Sequence, residues 1–208
     1  MKKIVLLFAS VFVVFAVIGA NAQVPEIGVA VGGSYPDYPD KVGFDSAVKF
    51  NYKANKIFGI GVESGFGWVN SDKKVSETPV GNLVLSSSIS ENFYSVPLLG
   101  VVTLNFPFGE DSPMSAFVSG GAGWSWTFYK LKADGQKDSY TFSGFTWQAS
   151  AGLAYTYDDE FSSMKIFFEG GYRGTNVKTD IGGTNFELAM SAPFVRIGVA
   201  FPLGGSDY

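Results

Sequence analysis

The 208-residue chain contains no cysteine and no histidine. Without thiols an exported form can hold neither a disulfide framework nor a thiolate metal site. Without imidazole it lacks the commonest general base and the commonest metal ligand together. A basic excess is missing too. Setting aside Lys2 and Lys3 leaves 13 of the 15 basic residues against 19 acidic ones, a net charge of −6, which argues against a nucleic-acid binder. After residue 22 no uninterrupted apolar run approaches the roughly 20 residues of a membrane-spanning helix. If the chain crosses a membrane, it must do so as strands.

What the chain has instead is a two-residue rhythm. Phe58, Ile60, Val62, Phe66 and Trp68 alternate with Gly59, Gly61, Glu63, Gly65 and Gly67. Successive strand residues point to opposite faces, so this segment has one apolar face and one small or polar face. A water-soluble sandwich puts polar groups outside and large side chains inside; here the small residues occupy the second face, as suits a strand between lipid and a narrow lumen. The pattern recurs at residues 26–34, 42–53, 57–69, 92–105, 115–129, 142–158, 164–177 and 186–203. Longer polar connections at 35–41, 70–91, 130–141 and 178–185 alternate with mostly shorter turns at 54–56, 106–114 and 159–163. This is the loop asymmetry of outer-membrane barrels. The fold expected is all-β: an eight-stranded, antiparallel, up-and-down transmembrane β-barrel over residues 23–208, its first and last strands paired because an open sheet edge in lipid leaves backbone groups unsatisfied. At the front, Lys2 and Lys3, the apolar run 4–18 and Ala20-Asn21-Ala22 read as a cleaved signal peptide over residues 1–22.

Aromatic residues gather at strand ends. Trp68, Phe93, Tyr94, Trp124, Trp126, Phe128, Tyr129 and Tyr172 fall toward the long-loop side, and Phe50, Tyr52, Phe58, Phe106, Tyr155, Tyr157 and Phe201 toward the short-turn side. Amphipathic rings at both rims form a girdle at headgroup height. Parity places Asp45, Lys49, Glu63, Gln148, Lys165, Glu169, Arg173 and Arg196 on the opposite, lumenal face. Acid and base nearly balance there, so Glu63 and Glu169 are expected to pair with Arg173, Arg196 or Lys49. That network is either a polar filling or a gate for ions.

No catalytic residue, metal ligand set or cofactor is assigned. Asp158, Asp159 and Glu160 share a solvated turn, and Gly120-Gly121-Ala122-Gly123 and Gly170-Gly171 precede neither Lys-Ser/Thr nor a helix pattern, so they relieve crowding rather than cradle phosphate.

The run Phe93-Tyr94-Ser95-Val96-Pro97-Leu98-Leu99-Gly100 resembles the aromatic-x-Val/Ile-Pro-Leu-Leu strand of a family of outer-membrane β-barrels of Gram-negative bacteria often called PorT-like. Arg196-Ile197-Gly198-Val199-Ala200-Phe201 resembles the amphipathic last strand that barrel-assembly machinery recognises, although Pro202 to Tyr208 follow it here. The resemblance implies a small barrel akin to the outer membrane protein A and X barrels, with outer-membrane lipid, lipopolysaccharide and, during insertion, the assembly machinery as partners. The function expected is structural or surface contact through extracellular loops, residues 70–91 being the longest. The alternatives are a narrow ion or small-solute channel, and a soluble lipocalin-like carrier of an apolar ligand.

Overall fold

A computed structural model describes residues 25–80, 83–109, 112–133, 136–159, 162–181 and 183–203. The expected signal peptide therefore lies outside the described residues. The strands are β1 (Glu26–Ser34), β2 (Gly43–Lys53), β3 (Phe58–Val80), β4 (Leu83–Pro107), β5 (Met114–Ala133), β6 (Gln136–Asp159), β7 (Ser162–Ile181), β8 (Thr184–Ala189) and β9 (Ala192–Pro202). Each pairs antiparallel with its neighbour, and the β1–β9 and β6–β7 pairings close the ring. β8 and β9 form one wall: Asn176 faces Ala189 and Arg173 faces Ala192 in a single register, and the Met190 amide donates to the Thr175 carbonyl at 3.0 Å between them. The wall count is therefore eight. The short irregularity at Met190–Ser191 is where the first loop docks, the Asp37 amide donating to the Ser191 carbonyl at 2.8 Å and the Tyr35 amide to the Pro193 carbonyl at 3.0 Å.

The register sets the bore. Stepping from Gly28 to Lys49, Glu63, Leu99, Gly123, Thr146 and Thr175 reaches the last wall at Met190, ten residues before Ala200, the residue that pairs with Gly28. A stagger of this kind tilts the strands, and eight tilted strands leave an interior just wide enough to be filled by side chains. Alternation then assigns the faces. On β9, Phe194, Arg196, Gly198 and Ala200 point in while Val195 and Ile197 point out, both more than half exposed. Val31, Val48, Phe66, Val102, Val118, Phe145, Trp147 and Phe168 continue the apolar outer face around the ring. So large an exposed apolar surface is the mark of an apolar environment.

The strands of the middle of the chain run longer than expected. β3 spans 23 residues and β4 spans 25, and residues 70–91, expected as a loop, are mostly a projecting hairpin that pairs from Asn70↔Asn92 to Val80↔Leu83 with a bulge between Lys74 and Ser76. Residues 130–141 and 178–185 likewise continue the β5–β6 and β7–β8 ladders. Outside lipid both faces of a hairpin can be polar, so the alternation that marks a spanning strand is lost while the backbone pairing continues. The signal lay in the sequence: Gly81-Asn82, Asp134-Gly135 and Gly182-Gly183 are the dipeptides that separate the paired segments, and Gly183 has a φ of +83°. Such dipeptides favour the tight hairpin turns that match strand twist.

Inward glycines let neighbouring walls approach. A Cβ at Gly123 would strike the Leu98 carbonyl oxygen and come within 3.0 Å of the Leu99 Cα, whereas one at outward Gly120 meets nothing closer than 4.0 Å. Gly123→Leu is accordingly expected to destabilise the folded barrel by about 1–3 kcal/mol, the usual effect of overpacking, and Gly120→Ala to leave it nearly unchanged. Urea titration of the compact, heat-modifiable gel band measures both.

Candidate functional site: a charged layer across the lumen

Asp45 and Lys49 on β2 lie four residues apart and so share the inner face; Glu63 of β3 stands opposite Lys49, Gln148 of β6 opposite Arg173 of β7, and Glu169 of β7 opposite Arg196 of β9. The register thus delivers three carboxylates and three cations to one level of a closed bore. Arg196 bonds Asp45 through Nε and Glu63 through Nη1 at 2.8 Å, and its Nη1 lies 3.8 Å from Glu169. Arg173 donates from Nη1 to Asp45 at 3.0 Å, lies 3.6 Å from Glu63, and donates from Nε and Nη2 to the Gln148 Oε1 at 3.1 and 2.8 Å. The Gln148 amide in turn donates to both Glu63 oxygens at 3.2 Å. Lys49 donates to Glu169 at 2.6 Å and lies 3.5 Å from Glu63, and the Ser150 hydroxyl donates to the other Glu169 oxygen at 2.6 Å. Glu63 and Arg196 are each 1 % exposed and Glu169 is fully buried.

Aromatic rings bound the layer. The Arg196 and Arg173 guanidinium carbons lie 4.3 and 5.5 Å from the Phe194 ring centroid, and the Lys49 ammonium lies 5.4 Å from that of Phe167. These contacts add cation–π attraction to the ion pairs. On one side of the layer a cavity of about 50 Å³ is lined by Glu26, Lys49, Asn51, Glu63, Thr103 and Lys165, and on the other a cavity of about 40 Å³ is lined by Asp45, Phe93, Arg173, Met190 and Phe194. Each has room for a few waters at roughly 10–15 Å³ apiece. Arg196 Nη2 is buried with no protein partner. The charged layer separates the two spaces.

The sequence reading and the structure differ in three places. Lys165 is remote from the central layer: it and Lys53 bond Glu26 at 2.7 and 2.6 Å, a second cluster near the short-turn rim. Glu26 and Lys53 were missed, although the same parity that selected Lys49 puts both inside. Phe93 and Tyr129 do not belong to the outer girdle. Each neighbours an outward ring, Tyr94 or Phe128, so alternation turns it inward, where the two stack at 4.8 Å. The remaining girdle residues face out: Trp68, Trp124, Trp126, Phe128, Tyr172, Tyr155, Tyr157 and Phe201 are exposed, and Tyr94 is half-buried opposite Trp68 and Phe128.

Phe93 and Tyr129 belong to a third tier at the long-hairpin mouth. The Tyr129 hydroxyl donates to Glu91 at 2.8 Å, and Tyr38, from the loop between β1 and β2, donates to the same carboxylate at 3.2 Å and packs edge-on to Phe93 at 5.5 Å. Burial and the Glu91 carboxylate raise the Tyr38 pKa above the ordinary phenol range.

A scan of family models matches residues 5–194 to the outer membrane protein beta-barrel domain. Among solved structures the chain is similar to Neisserial surface protein A (13 % identity, 86 % of this chain and 96 % of that one, TM-score 0.47). It is also similar to Ail, the attachment invasion locus protein of Yersinia pestis, solved with a heparin analogue (16 %, 86 % and 95 %, 0.41). A third likeness is to the N-terminal β-barrel domain of OprF from Pseudomonas aeruginosa (12 %, 85 % and 96 %, 0.40). No curated protein matches.

Two outcomes follow from this geometry. Arg196→Met leaves Asp45, Glu63 and Glu169 short of a buried countercharge and is expected to cost about 3–5 kcal/mol. Adding Glu63→Gln should restore part of that loss, because residues in one network couple; a urea midpoint for Arg196→Met equal to wild type would contradict it. For Tyr38 the folded pKa is raised, so the contact contributes fully below the unfolded phenol value near 10 and is lost as pH climbs through the folded one. Alkaline absorbance titration of wild type minus Tyr38→Phe should therefore show the missing phenol ionising above pH about 10.

Proposed function

Because the chain belongs to the outer membrane protein beta-barrel domain family, we propose that it is a non-enzymatic integral barrel of a Gram-negative outer membrane. In this reading a leader over residues 1–22 exports it, the barrel fixes it in the envelope, and its hairpins make contact at the cell surface. The observation that carries the reading is the filled bore. A charge-neutral layer, in which every carboxylate is bonded to at least one cation, lies beneath a tier in which Tyr38 and Tyr129 both bond Glu91. An interior so filled supports a structural role for the barrel and places chemical variety on the outside. About nine to eleven residues suffice for a tilted strand to cross the hydrocarbon layer, so the 23 to 25 residues of β3 and β4 leave a long hairpin free for contact.

The second reading is a narrow channel gated by the same charges. Its support is the pair of cavities on opposite faces of the charged layer, which makes Asp45, Glu63, Arg173 and Arg196 the single polar partition between them. Planar-bilayer recording separates the two. Wild type is expected to be silent; reproducible unitary currents that change in Glu63→Ala or Arg196→Ala would establish the channel instead. Recovery without detergent in a soluble fraction, with boiled and unboiled samples migrating alike, would favour a soluble carrier over both.

A further inference from the structure

We propose that the outer face of the β5–β6 hairpin, where Lys130, Lys132 and Lys137 meet above the aromatic girdle, binds the phosphate of an anionic lipid in the outer leaflet. This rests on the barrel spanning that membrane with its long hairpins outward. Lys132 and Lys137 stand directly opposite each other in the ladder, and Lys130 lies two residues along the same outer face. Directly paired strand residues are about 5 Å apart and residues two apart about 7 Å, so the three ammoniums fit around one phosphate group. Like charges placed opposite one another destabilise a ladder, and among the described residues none of the three makes an ion pair.

Elsewhere on the walls the lysines with described side chains are paired, whereas Lys41 and Lys56, which also make no ion pair among the described residues, lie in the connections between strands. Lys178, on the outer face of β7, is held by Glu187 at 3.1 Å, and Lys49, Lys53 and Lys165 are all paired. Among the residues whose side chains are described, the acids nearest the patch do not neutralise it. Glu91 and Asp138 fall on the opposite face of the sheet by parity, and Asp72 shares the outer face but stands two strands from Lys132, across Ser90, about 10 Å at ordinary strand spacing.

Height selects the ligand. Descending β5 from Lys132, the outer column reads Lys130, Phe128, Trp126, Trp124, and the Lys130 ammonium lies 5.1 Å from the Tyr94 ring centroid. Rings at the headgroup boundary with cations directly above them match a lipid whose chains lie against the rings and whose phosphate lies against the cations. A free anion would gain only exposed, salt-screened pairs. The lipid is distinguished from it by contact along the whole column.

Native mass spectrometry of the folded, detergent-solubilised full chain, offered equal amounts of phosphatidic acid and phosphatidylcholine, tests the site. Wild type and the control Lys178→Gln should retain phosphatidic acid preferentially. Lys132→Gln should lower that preference severalfold, and the triple variant Lys130→Gln/Lys132→Gln/Lys137→Gln by at least about tenfold, from the typical surface contribution of each cation. Equal retention of the two lipids by folded wild type, or an unchanged preference in folded Lys132→Gln and the folded triple variant, overturns the site alone. Displacement of phosphatidic acid by equimolar inorganic phosphate overturns the choice of lipid. Failure of wild type to show heat-modifiable migration overturns the barrel reading itself, and the site falls with it.

Discussion

Backbone hydrogen bonding in a medium without water is the constraint from which the rest of this structure follows. Each unpaired N–H or C=O in hydrocarbon costs several kcal/mol, so the nine-residue register between β1 and β9 closes the ring. Closure with eight walls and a ten-residue stagger leaves a bore with little room. Glycine enters the inner face for that reason: at Gly32, Gly61, Gly123, Gly144 and Gly198 a Cβ would collide with the backbone of the neighbouring wall. The apolar outer face and the crowded inner face are two results of one closure.

A bore lined by glycine still has to be filled, and the chain fills it with charge. Each ion left alone at that depth would carry a desolvation penalty of several kcal/mol. The structure meets the penalty with geometry. Arg196 and Arg173 share Asp45 and Glu63, Lys49 bridges Glu63 and Glu169, and Gln148 links an arginine to a glutamate as acceptor and donor together. Six formal charges sum to zero within one layer. An aliphatic filling could pack as well, and buried ion networks of this kind are often not the more stable choice. What the charges add is register: a one-residue slip of any wall would turn its charged residues out toward lipid, so the pairings that bind the layer also exclude misaligned rings.

Most of this was legible in the residues because one rule, alternation at period two, governs both faces of a spanning strand. It located every wall and selected the inward set of Asp45, Glu63, Glu169, Arg173 and Arg196 without any motif. It failed where the environment stopped imposing two unlike faces. Past the membrane the β3–β4 and β5–β6 ladders continue through stretches without regular apolar–polar alternation, and composition alone reads such stretches as loops. Phe93 and Tyr129 show the complementary error: ring chemistry suggested the girdle, but parity, applied consistently, turns both toward Glu91. Glu26 and Lys53 were likewise available to parity and were passed over because they sit at strand ends, where polar residues are unremarkable. Which acid meets which base depends on tilt and stagger, and these exist only once the ring has closed.

Closure also decides where recognition can reside. With the bore occupied and Tyr38 and Tyr129 held on Glu91 across the mouth, the inner face has little surface left to offer a partner, and the lipid belt has little charge to offer one: among the residues whose side chains are described, outward-facing ionic groups on the walls lie toward the long-hairpin end, at Asp72, Lys130, Lys132, Lys137, Lys178, Asp180 and Glu187. Of these, Lys178 and Glu187 satisfy each other across β7 and β8. Among the described residues the β5–β6 lysines have no such partner, and they lie directly above the girdle rings, at the height of headgroup phosphates. A fold that consumes its interior charges in holding itself together is thereby left with a cluster of cations at its membrane boundary, and that boundary is where an anionic neighbour gains most from binding it.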